Sequence, residues 1–108
     1  MKNDKTLSLL GLARRAGKLL IGHDAVFASV KKRQTKLVIL TSDASPRHLK
    51  ELQAAGYPGE TAVLPADMET TGPAVGKRSC IFALEDAGFA DAVKKTICEE
   101  DIIDGSKI

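Results

Sequence analysis

Lys36-Leu37-Val38-Ile39-Leu40-Thr41 is a continuous apolar run, too short for a buried helix and lacking the alternation of a half-exposed strand. Such a run belongs at the centre of a sheet covered on both faces. On either side of it the apolar period changes to that of helices. Upstream, Val26, Phe27 and Val30 mark one face of a helix that begins at His23 or Asp24 and runs to about Lys32. Before it, Leu19-Leu20-Ile21 reads as a short strand ending at Gly22. Leu7, Leu10 and Ala13, widened by Leu9 and Leu12, form a first helix that Gly17 stops just beyond Arg14 and Arg15.

Downstream, Ser45 as cap and Pro46 in the first turn open a third helix, with Leu49 and Leu52 inward and Gly56 as its stop. Residues 61–64 read as a strand and Asp67 as the cap of a fourth helix, which Pro73 shortens or kinks by removing a backbone donor. Residues 80–84 read as the last strand, and Phe89, Val93 and Ile97, four apart, as a fifth helix from near Gly88. Five helices alternating with four strands predict the α/β class, as an α/β/α sandwich. One domain is expected over residues 1–98, followed by an acidic tail over residues 99–108 carrying Glu99, Glu100, Asp101 and Asp104.

The chain has 108 residues, enough to bury a core without disulfides or metals. No apolar run approaches a membrane span, and the first residues lack a signal-peptide pattern, so a cytoplasmic protein with no membrane partner is expected. Cys80 and Cys98 have no metal-ligand spacing and read as reduced thiols, with no metal and no cofactor. Net charge is only +2, but its distribution is uneven. Most of the basic residues lie at or before Lys50, where the only acids are Asp4, Asp24 and Asp43. That asymmetry predicts one basic and one acidic face. Aromatic residues are 4% of the chain, too few for a base-stacking platform, so structured RNA suits it better than single strands.

The segment from Lys18 to Asp43 carries the most chemical information. A strand ends in Gly22, a helix starts, and Lys31, Lys32 and Arg33 decorate its far end. Unpaired N–H groups at a helix start favour phosphate or an electron-rich base edge, and a glycine there lets a nucleic-acid backbone approach. Asp24, Ala28 and Lys31 share the outward face, and His23 offers a stacking ring or a donor. Lys77-Arg78 is an adjacent basic pair within the acidic half. No GxSxG, HExxH or Walker pattern is present, which argues against an enzyme. Asp43 reads as closing a strand-to-helix connection rather than as a catalytic group.

Ala16-Gly17-Lys18, Gly22, the run from Lys36 to Leu40 and Asp43-Ala44-Ser45 occur together with Gly72, Ala74, Gly76-Lys77, Asp86 and Gly88-Phe89-Ala90. In this order they resemble the L-seven-Ae and L-thirty-e ribosomal protein superfamily, which binds kink-turn RNA. The opening Leu9-Leu10-Gly11-Leu12-Ala13-Arg14-Arg15-Ala16-Gly17-Lys18 is similar to its bacterial YlxQ-type subgroup. The resemblance implies a four-stranded mixed sheet. It also implies RNA contacts from the start of the second helix and from the loop before the last strand, here Val75-Gly76-Lys77-Arg78-Ser79. In the family the second helix opens with Gly-x-Asn-Glu and a Lys three residues on. Gly22 keeps the glycine, while Asp24, Ala25 and Ala28 replace the other three. An alanine accepts no hydrogen bond from a guanine edge, so backbone and phosphate contacts are expected to outweigh base readout. The expected RNA-binding set is Lys18, Gly22, His23, Asp24, Lys31, Lys32, Lys77 and Arg78. The expected partner is structured RNA, ribosomal RNA above all, bound by a monomer. The alternative is a protein-interaction module that kept the fold and lost kink-turn recognition.

Overall fold

Alternate residues of the two central strands point to opposite sides of the sheet, and this divides the core in two. In the computed structural model, which describes residues 4–105 and side chains over residues 5–97, the elements follow in chain order. They are α1 (Asp4–Arg15), β1 (Leu19–Ile21), α2 (His23–Lys31), β2 (Leu37–Leu40), α3 (Arg47–Ala54), β3 (Glu60–Val63), α4 (Met68–Val75), β4 (Ile81–Leu84) and α5 (Ala87–Gly105). Leu37 and Ile39 of β2 join Phe82 and Leu84 of β4 in a core with Leu10, Val75 and Val93, under α1, α4 and α5. Val38 and Leu40 join Ile81 and Ala83 in a second core with Val26, Val30 and Leu52, under α2 and α3. The result is a three-layer α/β/α sandwich, with β2 and β4 buried along their whole length.

The sheet is mixed, in the order β1-β4-β2-β3. β4 runs antiparallel to both β1 and β2, and β2 runs parallel to β3. Ile21 pairs with Phe82, and Leu40 with Ile81. The ends of β1 and β2 and the beginning of β4 therefore meet at one end of the sheet, and the loops attached there become neighbours. At the outer edge β3 is less covered, and Val63 is 54% exposed.

Local signals account for most helix ends. Gly17, Gly56 and Gly76 all have positive φ just past α1, α3 and α4, where a Cβ would be strained. The Asp67 side chain accepts from Thr70 N at 2.8 Å and caps α4; these N–H donors hold its carboxyl below the usual range. Asp86 caps α5 by accepting from Gly88 N at 2.7 Å. Asp43 does close a connection: its Oδ1 accepts from the Thr41 hydroxyl at 2.6 Å and from Met68 N at 3.1 Å, tying the end of β2 to the start of α4. Pro73 lies within α4, which ends two residues later at Val75 after only eight residues.

One expectation for α3 is corrected. Leu49 points outward at 41% exposure, because His48 and Leu52, four apart, form the inward stripe in its place. Pro46 stands immediately before α3 with helical φ and ψ, and the Ser45 hydroxyl accepts from Arg47 N at 3.2 Å, the capping bond expected of Ser45. The segment read as an acidic tail has helical backbone to Gly105 as part of α5. Its side chains, that of Cys98 and residues 106–108 lie outside the described residues.

Candidate nucleic-acid interface

Gly22 is the N-cap of α2, with φ 98 and ψ 158, a conformation open in practice only to glycine. Its N–H donates to the Ile81 carbonyl at 3.0 Å, and its own carbonyl accepts from Val26 N at 3.0 Å. The first bond joins the start of α2 to the start of β4, so the loop of residues 76–80, bearing Lys77 and Arg78, emerges beside it. No atom lies within 4 Å of a Cβ built on Gly22, so the space above it is open to a partner. Gly22→Ala is expected to cost about 1–3 kcal/mol through backbone strain alone, read as a lower urea midpoint.

His23 opens α2 with its ring stacked on Phe27 at 4.4 Å. Its Nδ1 lies 3.2 Å from Asp24 Oδ1 and its Nε2 3.3 Å from Glu51 Oε1. Both carboxylates raise the His23 pKa above 6.5, the Asp24 hydrogen bond most of all. Behind it lies buried His48 of α3, whose ring centroid is 6.1 Å away. His48 Nε2 faces the Cys80 thiol at 3.4 Å, and its Nδ1 lies 3.7 Å from Glu51 Oε1. Among the described residues, His48 Nδ1 and Glu51 Oε1 are both buried without a hydrogen-bond partner. The α2 start is braced from α3 by the contact of His23 Nε2 with Glu51, and His48 links α3 to Cys80 at the entrance to β4.

Because the folded pKa of His23 is raised, its contribution to stability is complete below the unfolded value and fades as pH rises through the folded one. A histidine NMR titration should place His23 above 6.5, and Asp24→Asn should lower it more than Glu51→Gln. Protonation adds a positive charge at this edge, so affinity for a polyanion should rise as pH falls through that pKa.

The cations divide between two ends of the sheet. Lys77 and Arg78 share the Gly22 end, together with His23 and Asp24. Arg78 pairs with Glu69 at 3.3 Å, while Lys77 makes no ion pair among the described residues. Lys18 lies at the opposite end: it precedes Leu19, which pairs with Leu84, and its ammonium is 4.0 Å from Asp86. Lys31 and Lys32 end α2, about 13 Å from Gly22 at the rise of an α-helix. Lys31 shares the exposed face of α2 with Asp24 and Ala28, so it extends a strip along the helix rather than joining the loop. Phe27 meets His23 through their four-residue spacing on α2, whereas the contributions of His48, Glu51 and Cys80 escape sequence reading, since only the tertiary fold brings them to this edge. Among the described residues, no group of three or more His, Cys, Asp or Glu is placed to hold a metal ion, and no helix is long and apolar enough to cross a membrane.

Fold and edge together define the class: a small three-layer α/β/α protein whose strand-end loops collect around a glycine-led helix start. The chain belongs to the Ribosomal protein L7Ae/L30e/S12e/Gadd45 family, whose pattern it matches over residues 4–94. It is 33% identical over 95 residues to the RNA-binding protein YlxQ of Enterococcus faecium, covering 86% of this chain and 91% of that one. It is 34% identical over 85 residues to the RNA-binding protein YlxQ of Bacillus subtilis (strain 168), covering 77% and 85%. These relatives place it with the YlxQ-type subgroup. A solved structure of a protein with unknown function from Bacillus halodurans C superposes with a TM-score of 0.77 at 38% identity, over 86% of this chain and 96% of that one. The Giardia lamblia 15.5kD RNA binding protein shares the fold, with a TM-score of 0.69 at 14% identity, over 93% and 88%.

Proposed function

We propose that this protein binds structured RNA, with ribosomal RNA as its natural partner. The RNA lies across the end of the sheet where α2 begins and residues 76–80 enter β4. The observation that carries this reading is the Gly22 N–H bond to the Ile81 carbonyl, which sets an open helix start beside a loop bearing Lys77 and Arg78. Two relatives named as RNA-binding proteins support it. Ala25 and Ala28 offer no hydrogen-bonding side chain, so recognition falls chiefly to backbone N–H groups and cations gripping phosphates. In this reading the chain acts in the cytoplasm as a monomeric binding protein rather than an enzyme. Its RNA is kink-turn-like in shape, with weak dependence on the bases.

The experiment compares a standard kink-turn with a duplex of equal length whose G·A pairs are replaced by Watson–Crick pairs. The kink-turn should bind more tightly by a small factor, and both complexes should weaken as potassium chloride rises. With three or four phosphate contacts the log–log salt slope would be about −3, so a fourfold rise in salt would cost roughly 60-fold in affinity. Binding that salt leaves untouched, or none to either RNA at low salt, refutes the proposal. A second reading draws on Asp24 and Glu51, which put two carboxylates around His23 at the helix start. A protein-interaction module using the acidic half would keep its partner when Lys31, Lys77 and Arg78 are charge-reversed.

A further inference from the structure

The α4–β4 loop does not stand alone, because the end of α1 reaches it. Gly11 sets the approach of the two helices: a Cβ there would lie 2.8 Å from the Ala74 carbonyl oxygen, so only glycine lets α1 pack this closely on α4. One turn later the Arg14 guanidinium donates to the Val75 carbonyl. It also lies against Gly76, where a Cβ would stand 3.1 Å from Nη1. Gly76 N–H in turn occupies the Gly72 carbonyl. The negative end of α4 is thus partly neutralised from within the protein, and an arginine from the N-terminal helix is anchored at the base of the loop that carries Lys77 and Arg78.

Beside this anchor runs a groove of about 370 Å³ lined by Gly11, Arg14, Arg15, Pro73, Ala74 and Gly76. Across α4 a second hollow, lined by Pro73, Gly76, Lys77 and Arg78 among others, shares two of these residues. The two form one cationic track over the C-terminal half of α4. Arg15 and Lys77 have no ion pair or hydrogen bond among the described residues, and the one carboxylate on the track, Glu69, is already held by Arg78. The floor is glycine, proline, alanine and backbone with Val75 and Met68 beside them, and Leu7 and Leu12 border the groove beyond Gly11 and Arg15. It offers no deep apolar socket for the aromatic anchors that protein partners favour, whereas guanidinium groups above a flat floor suit phosphates.

We propose that the RNA-binding surface continues from the α4–β4 loop across α4 into the α1–α4 groove. There Arg15 contacts phosphates of a helix flanking the RNA held at Gly22, and Arg14 acts as a positioning residue that fixes the loop. This rests on the RNA-binding reading above. It adds a second contact patch at the end of α1, and it gives the protein a grip on RNA outside the recognised element.

Fluorescence anisotropy with two labelled kink-turn RNAs tests it, one with long flanking helices and one clipped to a few base pairs. Arg15→Glu should weaken the long-armed RNA by roughly tenfold and reduce its salt slope by about 1, with little effect on the clipped RNA. Arg15→Gln should reduce the slope in the same way. Lys77→Glu should weaken both RNAs. Since Arg15 is exposed and has no partner among the described residues, thermal unfolding of its variants should match the wild type. If Lys77→Glu weakens binding while Arg15→Glu and Arg15→Gln leave affinity and slope unchanged, the extension is wrong and the RNA-binding reading stands. If the wild type binds neither RNA, both fall. If a polyglutamate peptide binds in an Arg15-dependent way while RNA affinity ignores Arg15, the groove serves an acidic protein and the extension is overturned.

Discussion

Reversing both loop cations, as Lys77→Glu with Arg78→Glu, is expected to lower RNA affinity by about a hundredfold or more. A charge-assisted hydrogen bond contributes roughly 1.5–3 kcal/mol, and each 1.4 kcal/mol is about tenfold in affinity. Two lost contacts at the screened, low end of that range therefore reach about two orders of magnitude. Arg78→Glu also releases Glu69 from its 3.3 Å ion pair, adding a free carboxylate to the track. The fold should not change, since both residues are exposed and an exposed ion pair contributes little to stability. Anisotropy titration should show the loss together with a salt slope shallower by about 2, while circular dichroism stays that of the wild type. A double variant that binds within twofold of the wild type would remove this loop from the interface.

Phe82→Ala should produce the largest loss of stability from a single core truncation. Phe82 is fully buried in β4 and heads the largest buried side chains. Emptying such a site typically costs about 3–5 kcal/mol from lost burial and the cavity left behind. A domain of this size has roughly 5–15 kcal/mol in total, so the variant sits near the limit of folding. Urea denaturation should show a much lower midpoint with a similar slope. Phe82→Leu, which keeps most of the volume, should lose far less. Because Phe82 pairs with Ile21 and Ile39 on the two flanking strands, its loss should also loosen the end of the sheet that holds Gly22. RNA affinity should then fall with the folded fraction.

Much of the fold is legible along the chain because burial writes itself into the apolar period. The run of residues 37–41 is buried and carries no alternation, so its central place can be read without a partner in view. The cap Asp67 and the stops Gly17 and Gly56 are local interactions within a few residues, and local signals survive in a sequence. Leu49 marks the limit of such local signals. Leu49 and Leu52 are three apart, His48 and Leu52 four apart, and both spacings are helical, so only the packed structure chooses between them. The candidate site is legible in part. Gly22 and residues 76–80 come together because β1 and β4 are antiparallel, while that same pairing sends Lys18 to the other end. The bond from Arg14 to Val75 spans 61 residues, and that from His48 to Cys80 spans 32. No period in the sequence encodes contacts of this kind.

The pairing of β1 with β4 alone has a consequence for how the chain is born. A nascent chain emerges from the synthesis machinery N-terminus first, and β1 is complete at Ile21 with no strand to join until Ile81 appears. At about 5–20 residues per second, those sixty residues take roughly 3–12 s to make. For most of that interval α1 also lacks α4, and throughout it lacks α5, the helices that shield its apolar stripe. The first two elements therefore wait, unsheltered, while β2 and β3 are already able to pair. The edge around Gly22 is closed only when β4 arrives, so this end of the sheet is assembled late and in a single step.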